Sequence, residues 1–339
     1  MNSAPVSVVI PTYNRRELVR DAIDSVLAQT LVPEQIIVVD DGSTDDTAAT
    51  LRSLYAGRIV CVSRENGGIS AAKNLGISLA DRPFVAFLDD DDAWHPRKLE
   101  LQMHCFREDP EIALLGARQF DWPAPRFPDV PGDPGGMLVR VTWEQLVVRT
   151  LIPFSSVVVR RSVFNTAGTF DPSFPTSEDR DFFLRVAEVA PVGMLDIPLS
   201  GYRDTPGSLC KNPRGREEAM LRILRRIDES GAWRGRWLLR RKAYSYLHYG
   251  CSDAQARAGN HLHAAARALK SLACYPLPYG SDARMRFDRP KRIAVNLLRA
   301  ARLKRPDRVG AARPPLPTNA LRELHRDAAE PTLSIPSPL

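Results

Sequence analysis

Apolar positions in the first part of the chain fall into short runs separated by stretches of helical periodicity. Val6-Ser-Val-Val-Ile10 is a β-branched run closed by Pro11, which predicts a strand buried on both faces. Leu18, Ala22, Ile23, Val26 and Leu27 then recur at helical spacing. Gln35-Ile-Ile-Val-Val39 predicts a second strand, and Ala48, Leu51 and Leu54 fit one face of the helix that follows. Between them Gly42 suits a turn, and Ser43 or Thr44 suits the helix N-cap. Arg58-Ile-Val-Cys-Val62 and Phe84-Val-Ala-Phe-Leu88 read as third and fourth strands, with a helix near 69–79 between them. This alternation predicts an α/β fold built on a doubly wound, mostly parallel sheet.

Farther along, a helix is expected beyond Leu99 to about Arg107, a strand around 112–116, a helix near 142–149 and a strand over Phe154 to Arg160. The segment 122–136 carries too much Pro and Gly for regular structure and reads as a surface loop. Thr176-Ser-Glu-Asp179 opens a further helix. After Tyr202 the pattern becomes helical and basic. Tyr244, Leu247 and the stretch 264–272 suggest a helical hairpin. The expected division is therefore an α/β domain over 1–210, a basic helical region over 211–303 and a disordered tail over 304–339.

Composition adds limits. The 339 residues suffice for one large α/β domain with an appendage, and no run of about 18 apolar residues predicts a membrane span. Met1 to Pro5 leads straight into a strand without a signal-peptide pattern, so a cytoplasmic protein is expected. The five scattered cysteines suggest reduced thiols rather than a disulfide or zinc framework. The net charge of +7 is concentrated after Lys211, which points to an anionic partner or to solvated helix faces. Nucleic acid is disfavoured, because no aromatic residues interleave with the basic ones in a known module.

The candidate chemistry lies at strand ends. Tyr13, Asp40, Asp41, Asn66 and the run Asp89-Asp-Asp-Asp92 all fall at or just past the carboxyl ends of the predicted strands, where such sheets bind ligands. Four adjacent acids repel one another unless a cation sits among them, and a hard divalent ion fits oxygen ligands. A solvated acidic turn is the plain alternative. Asn66-Gly-Gly68 supplies a backbone able to approach a ligand closely. Glu178 and Asp179 lie in a helix's first turn, where acids also simply favour the dipole.

The series Val8-Val-Ile-Pro-Thr-Tyr-Asn14, Val38-Val-Asp-Asp-Gly-Ser-Thr-Asp46, Asn66-Gly-Gly68 with Ala72-Lys-Asn74, Phe87-Leu-Asp-Asp-Asp-Asp92 and Ser177-Glu-Asp179 resembles glycosyltransferase family 2. The resemblance covers roughly residues 6–205 in the family's order and spacing. It implies a GT-A, Rossmann-like sheet flanked by helices, here with a basic helical C-terminal extension. It also implies an inverting enzyme that moves sugar from a nucleotide-diphosphate donor, UDP- or dTDP-type, to a carbohydrate or lipid-linked hydroxyl in glycoconjugate or polysaccharide synthesis.

By that resemblance Asp89 to Asp91 form the DxD metal motif for Mn²⁺ or Mg²⁺. Asp91 would be the direct metal ligand, with Asp89 nearer the ribose and phosphate, and a register one residue on, bringing in Asp92, stays open. Asp41 would bind the nucleobase, Asp40 would brace the loop or meet the sugar, and Pro11, Thr12 and Tyr13 would lie beneath the base. Asp90 belongs to the same donor site. Lys73 stands where the family commonly has Arg, keeping the charge for a phosphate but losing the bidentate fork. Asp179, with Glu178 beside it, would be the general base. Arg203 would reach the diphosphate, and Thr205 replaces a common His. Other readings are a sugar nucleotidyltransferase, which would want a basic Gly-rich loop near the N-terminus, and a nucleotide-binding scaffold without activity. The basic helices are expected to touch an anionic inner membrane face.

Overall fold

The computed structural model describes residues 3–149, 151–205, 212–277 and 288–301, so the expected tail over 304–339 lies outside the described residues. Strands β1 (Ser3–Thr12), β2 (Val32–Asp40), β3 (Val60–Ser63) and β4 (Phe84–Phe87) alternate with helices α1 (Arg16–Leu27), α2 (Thr47–Leu54) and α3 (Ile69–Leu79). These four strands are parallel, in the spatial order β3-β2-β1-β4. Successive side chains of β1 enter opposite cores. Val9 joins Ile37, Val85 and Phe87 on one face, while Val8 and Ile10 join Val38, Ala86 and Leu88 on the other. That two-sided burial explains the uninterrupted β-branched run.

After β4 come the two-residue β5 (Ala93–Trp94), α4 (Lys98–Glu108), β6 (Leu114–Trp122), β7 (Leu138–Val141) and α5 (Trp143–Val148). Next are β8 (Val158–Arg160), α6 (Phe164–Ala167), α7 (Glu178–Val189) and β9 (Val192–Arg203). Strand β8 pairs antiparallel with both β4 and β6, whereas β9 runs parallel to β6 and antiparallel to β5 and β7. The sheet is therefore mixed, its parallel half being the one evident in the sequence. Phe154 to Ser156 forms a 3₁₀ turn rather than the start of a strand. The α2 N-cap is Asp46 in a left-handed conformation, not Ser43 or Thr44. Ser43 and Thr44 instead bond Asn14 across the loop.

Helices α8 (Pro213–Ser230), α9 (Trp237–Arg257) and α10 (His261–Cys274) follow, with a last helix over Asp288–Ala300. Ala219, Met220, Ile223, Leu224 and Ile227 of α8 bury into the same apolar cluster as Phe182 and Phe183 of α7. Arg222 donates to the Ser173 carbonyl, and Arg226 bonds Asp171 at 2.6 Å and Asp181 at 3.3 Å. Arg240 bonds Asp228, and Arg292 bonds Asp253 and Asp288. Part of the basic character read from this region is thus matched inside the chain. No helix among the described residues is long and apolar enough to cross a membrane.

Candidate active site

Because β1, β2 and β4 are parallel and in register, their carboxyl ends meet at one edge. Thr12 pairs with Asp40, and the Asp41 amide donates to the Thr12 carbonyl at 2.9 Å. A cavity of about 730 Å³ opens there. Pro11, Thr12, Tyr13, Asp41, Asn66, Gly68, Lys73, Asp89 to Asp92, Glu178 and Asp179 all line it. Asp40 and Arg203 are not among the lining residues.

The four consecutive acids are held differently. Asp90 accepts from the Thr12 hydroxyl and from Arg15, both at 2.8 Å, and Arg15 also reaches Asp91 at 2.9 Å. Asp92 accepts from the Ser155 hydroxyl at 2.6 Å and from the Arg203 amide at 3.0 Å. Arg203 further donates to the Asp91 carbonyl and pairs with Asp21, so it braces the acidic loop from behind. Burial, and then the neighbouring carboxylates, raise the Asp89 carboxyl to about 7 even though Lys73 opposes the shift. Burial likewise raises Asp90 to about 6 against Arg15, and raises Asp92 well above the ordinary range.

On the β2 side, Asp41 is buried and accepts from Arg64 at 2.5 Å and from the Gly67 and Gly68 amides at 3.1 and 2.8 Å. It ties down the Asn66-Gly-Gly68 loop. Gly68 needs its glycine, since its φ is +86°. Asp40 accepts from the Ser43 amide and braces the same turn. Tyr13 is 48 % exposed at the cavity, so it is not core filling.

Glu178 and Asp179 open α7, immediately after Ser177, which holds a left-handed φ of +62° and makes no side-chain cap. A capping box is therefore not what places these acids. Lys73 of α3 donates to Glu178 at 2.6 Å, and its ammonium lies 3.4 Å from the Phe154 ring centroid. Its neighbour Asn74 bonds both the carbonyl and the amide of Phe170. The Lys73-Asn74 pair thus fastens the segment leading to α7, and the Lys73 charge is directed at Glu178. Burial alone would lower the Lys73 pKa, yet it is raised, because Glu178 and then Asp89 and Asp179 outweigh burial. Asp179 accepts from the Arg180 amide at 2.8 Å, and burial and the Glu178 charge raise its pKa.

Some lining residues have no counterpart in the sequence reading: Arg15, Ser155, Arg180, Arg216 and Met220 among them. Arg15 directly follows the Tyr13-Asn14 turn, which could have flagged it. Nothing local marks Ser155, Arg216 or Met220. No group of three or more His, Cys, Asp or Glu side chains among the described residues forms a ready metal cage.

Residues 7–144 match the family described as Glycosyl transferase family 2. Over this stretch the chain is similar to family 2 glycosyltransferases. An uncharacterized glycosyltransferase of Rickettsia typhi is 33 % identical over 196 residues, which are 54 % of this chain and 60 % of the relative. The chain spans between about a third and three fifths of the length of the first curated relatives it matches. Among solved structures, S. aureus TarS 1–349 in complex with UDP-GlcNAc superposes with a TM-score of 0.54 at 16 % identity, covering 81 % of this chain and 93 % of that one. The mannosyltransferase PcManGT from Pyrobaculum calidifontis, in complex with GDP-Man and Mn²⁺, gives 0.57 at 18 % identity, covering 89 % and 80 %. At that identity the likeness establishes the GT-A fold, and the mixed sheet with its added helices is the form the fold takes here.

Proposed function

We propose that the chain transfers a sugar from a nucleoside-diphosphate donor to a hydroxyl acceptor, with inversion at the anomeric carbon and with a divalent cation bound. The observation that carries this reading is one cavity holding acids from three segments distant in sequence: Asp41, Asp89 to Asp91, and Asp179. Tyr13 and the loop fixed by Asp41 suit a nucleobase, one by stacking and the other by backbone approach.

Asp89 and Asp91 are the carboxylates that would hold the cation. Mg²⁺-like ions are commonly bound by one or two carboxylates, with substrate phosphates and water completing the shell, so the lack of a closed cage is compatible. Burial, and then the neighbouring carboxylates, raise Asp89 to about 7, and a bound cation would offset that carboxylate repulsion. The structure of PcManGT with GDP-Man and Mn²⁺ supports the same expectation. When bound, the cation would neutralise charge growing on the departing diphosphate. Arg15 keeps Asp90 and one oxygen of Asp91 in place for that role.

Asp179 takes the proton of the acceptor hydroxyl as its oxygen attacks the anomeric carbon and the bond to the diphosphate oxygen breaks. Its raised pKa makes it a stronger base than an exposed aspartate. Glu178, paired with Lys73, is occupied and serves to tune Asp179. A single displacement without a carboxylate nucleophile inverts the anomeric centre.

Asp179→Asn tests this. Transfer should fall at least about a hundredfold while donor-dependent thermal stabilisation persists. Transfer within about threefold of wild type would mean that Asp179 is not the base. Screening UDP- and dTDP-sugars with and without Mn²⁺ identifies the donor, and stabilisation that ignores both metal and donor would sink the proposal.

A further inference from the structure

Arg216 lies in the first turn of α8, outside the stretch that matches the family, yet it lines the cavity together with Met220 one turn on. The lining contains four cations. Arg15 is tied to Asp90 and Asp91, and Lys73 to Glu178. Farther along α8, Arg222 and Arg226 are also held, by Ser173 and by Asp171 and Asp181. Among the described residues Arg216 makes no ion pair, and its side chain is exposed to the cavity mouth. No acid stands in the first turn of α8 to offset it, and Arg214 adds a second cation there. A cation at a helix N-terminus is opposed by the macrodipole, so this charge is placed against its local electrostatics.

Helix α8 packs on α7, whose first turn holds Asp179 and Arg180: Met220 joins the cluster of Phe182 and Phe183, and Arg226 bonds Asp181 at 3.3 Å. Burial first, and then the Arg216 charge, bring the buried Arg180 down to about 10, against the opposite pull of Tyr246 and Asp179. Arg216, Arg180 and Asp179 line one cavity, so Arg216 enters it from the side of α7. That is where the acceptor hydroxyl must lie if Asp179 takes its proton.

We propose that Arg216 selects the acceptor by binding an oxyanion, carboxylate or phosphate, carried by the sugar or polyol whose hydroxyl meets Asp179. The assignment rests on the transferase reading above and adds the acceptor's charge to it. An anion there gains charge-assisted hydrogen bonds and relieves the repulsion between the two guanidinium groups.

The test is calorimetry on the full chain loaded with UDP or dTDP and Mn²⁺, titrated with glucuronic acid, glucose 6-phosphate or glucose. The charged sugars should bind more tightly than glucose. Arg216→Ala should lose about ten- to a hundredfold in affinity for them and little for glucose. Arg216→Lys should retain part of the preference. Of the two charged sugars, the one bound more tightly identifies carboxylate or phosphate as the source. Equal affinity of the wild type for charged and neutral sugars, or no binding of any, overturns the acceptor assignment. So does an equal loss of nucleotide affinity in Arg216→Ala, which would put Arg216 on the donor diphosphate. If neither UDP nor dTDP binds the wild type, the transferase reading itself fails, and the acceptor assignment with it.

Discussion

Lys73→Met should unfold the protein far more easily than its single ion pair suggests. The ammonium and the Glu178 carboxylate lie 2.6 Å apart, with only 2 % and 8 % of their side chains exposed. At an effective dielectric constant near 20, their attraction is about 6 kcal/mol, and the desolvation of both charges takes back most of it. The net worth of the intact pair is therefore small. The cost of breaking it is not, because Glu178 would remain buried beside Asp179 and near Asp89. Removing one partner of a buried pair costs about 3–5 kcal/mol, which at about 2–4 °C per kcal/mol for a domain of this size lowers Tm by roughly 6–20 °C. The double variant Lys73→Met with Glu178→Leu should recover most of that. The lysine pKa is raised in the fold, so its contribution is complete below the unfolded value of about 10.4 and is lost only as pH climbs through the folded value. Thermal and urea unfolding at pH 7, without added metal, are the assays. A single variant costing under about 1 kcal/mol, or a double variant as unstable as the single, would refute the account.

Further outcomes follow from other sites. Glu178→Gln removes the charge that raises Asp179, so the acid limb of kcat/KM against pH should move to lower pH; no movement means Asp179 is not the titrating base. Gly76→Ala would set a Cβ 2.3 Å from Cγ1 of Val9, so it should cost about 1–3 kcal/mol in urea unfolding, and Val9→Ala should restore part of it. His248 is lowered to about 4 by burial and then by Arg267 and Lys270. The unfolded chain takes up that proton first, so stability falls as pH drops from about 6.5 towards 4, and His248→Gln should flatten this part of the Tm profile relative to wild type. Exposed Leu262, Leu269, Leu297 and Leu298 lie on helices that also carry Lys270 and Lys291. Flotation with anionic liposomes should therefore exceed flotation with neutral ones, and equal flotation would remove the membrane reading.

The parallel half of the sheet was legible because its strands are short, β-branched and buried on both faces, and because each ends in a loop with a polar signature. The other half was not. Strand β9 reads as Val-Gly-Met-Leu-Asp-Ile-Pro-Leu-Ser, with a proline and two small residues masking any alternation, and its register against β6 shifts around Ala117 and Arg118. Pairing in that half is set by partners distant in sequence, which no local pattern encodes. The site divides similarly. Strand-end acids could be located from the strands themselves, but their partners could not. That Asp92 meets Ser155, that Lys73 meets Glu178 and that Arg216 enters the cavity are all products of tertiary packing. The basic character of the C-terminal helices was legible as a charge count, but which arginines find carboxylates within the chain was not.

The pairing of β8 with both β4 and β6 has a consequence for dissecting the chain. A fragment cut at 144, where the match to the family ends, would contain the strand-end loops that carry Tyr13, Asp41, Asn66 and Asp89 to Asp92. It would lack β8, leaving Phe84-Val-Ala-Phe87 as an unpaired apolar edge, and β6 would lose its two flanking strands. Such an edge is a template for pairing with other copies. The stretch most easily recognised in the sequence is therefore expected to aggregate when isolated, because only the return of the chain through residues 158–160 covers that edge.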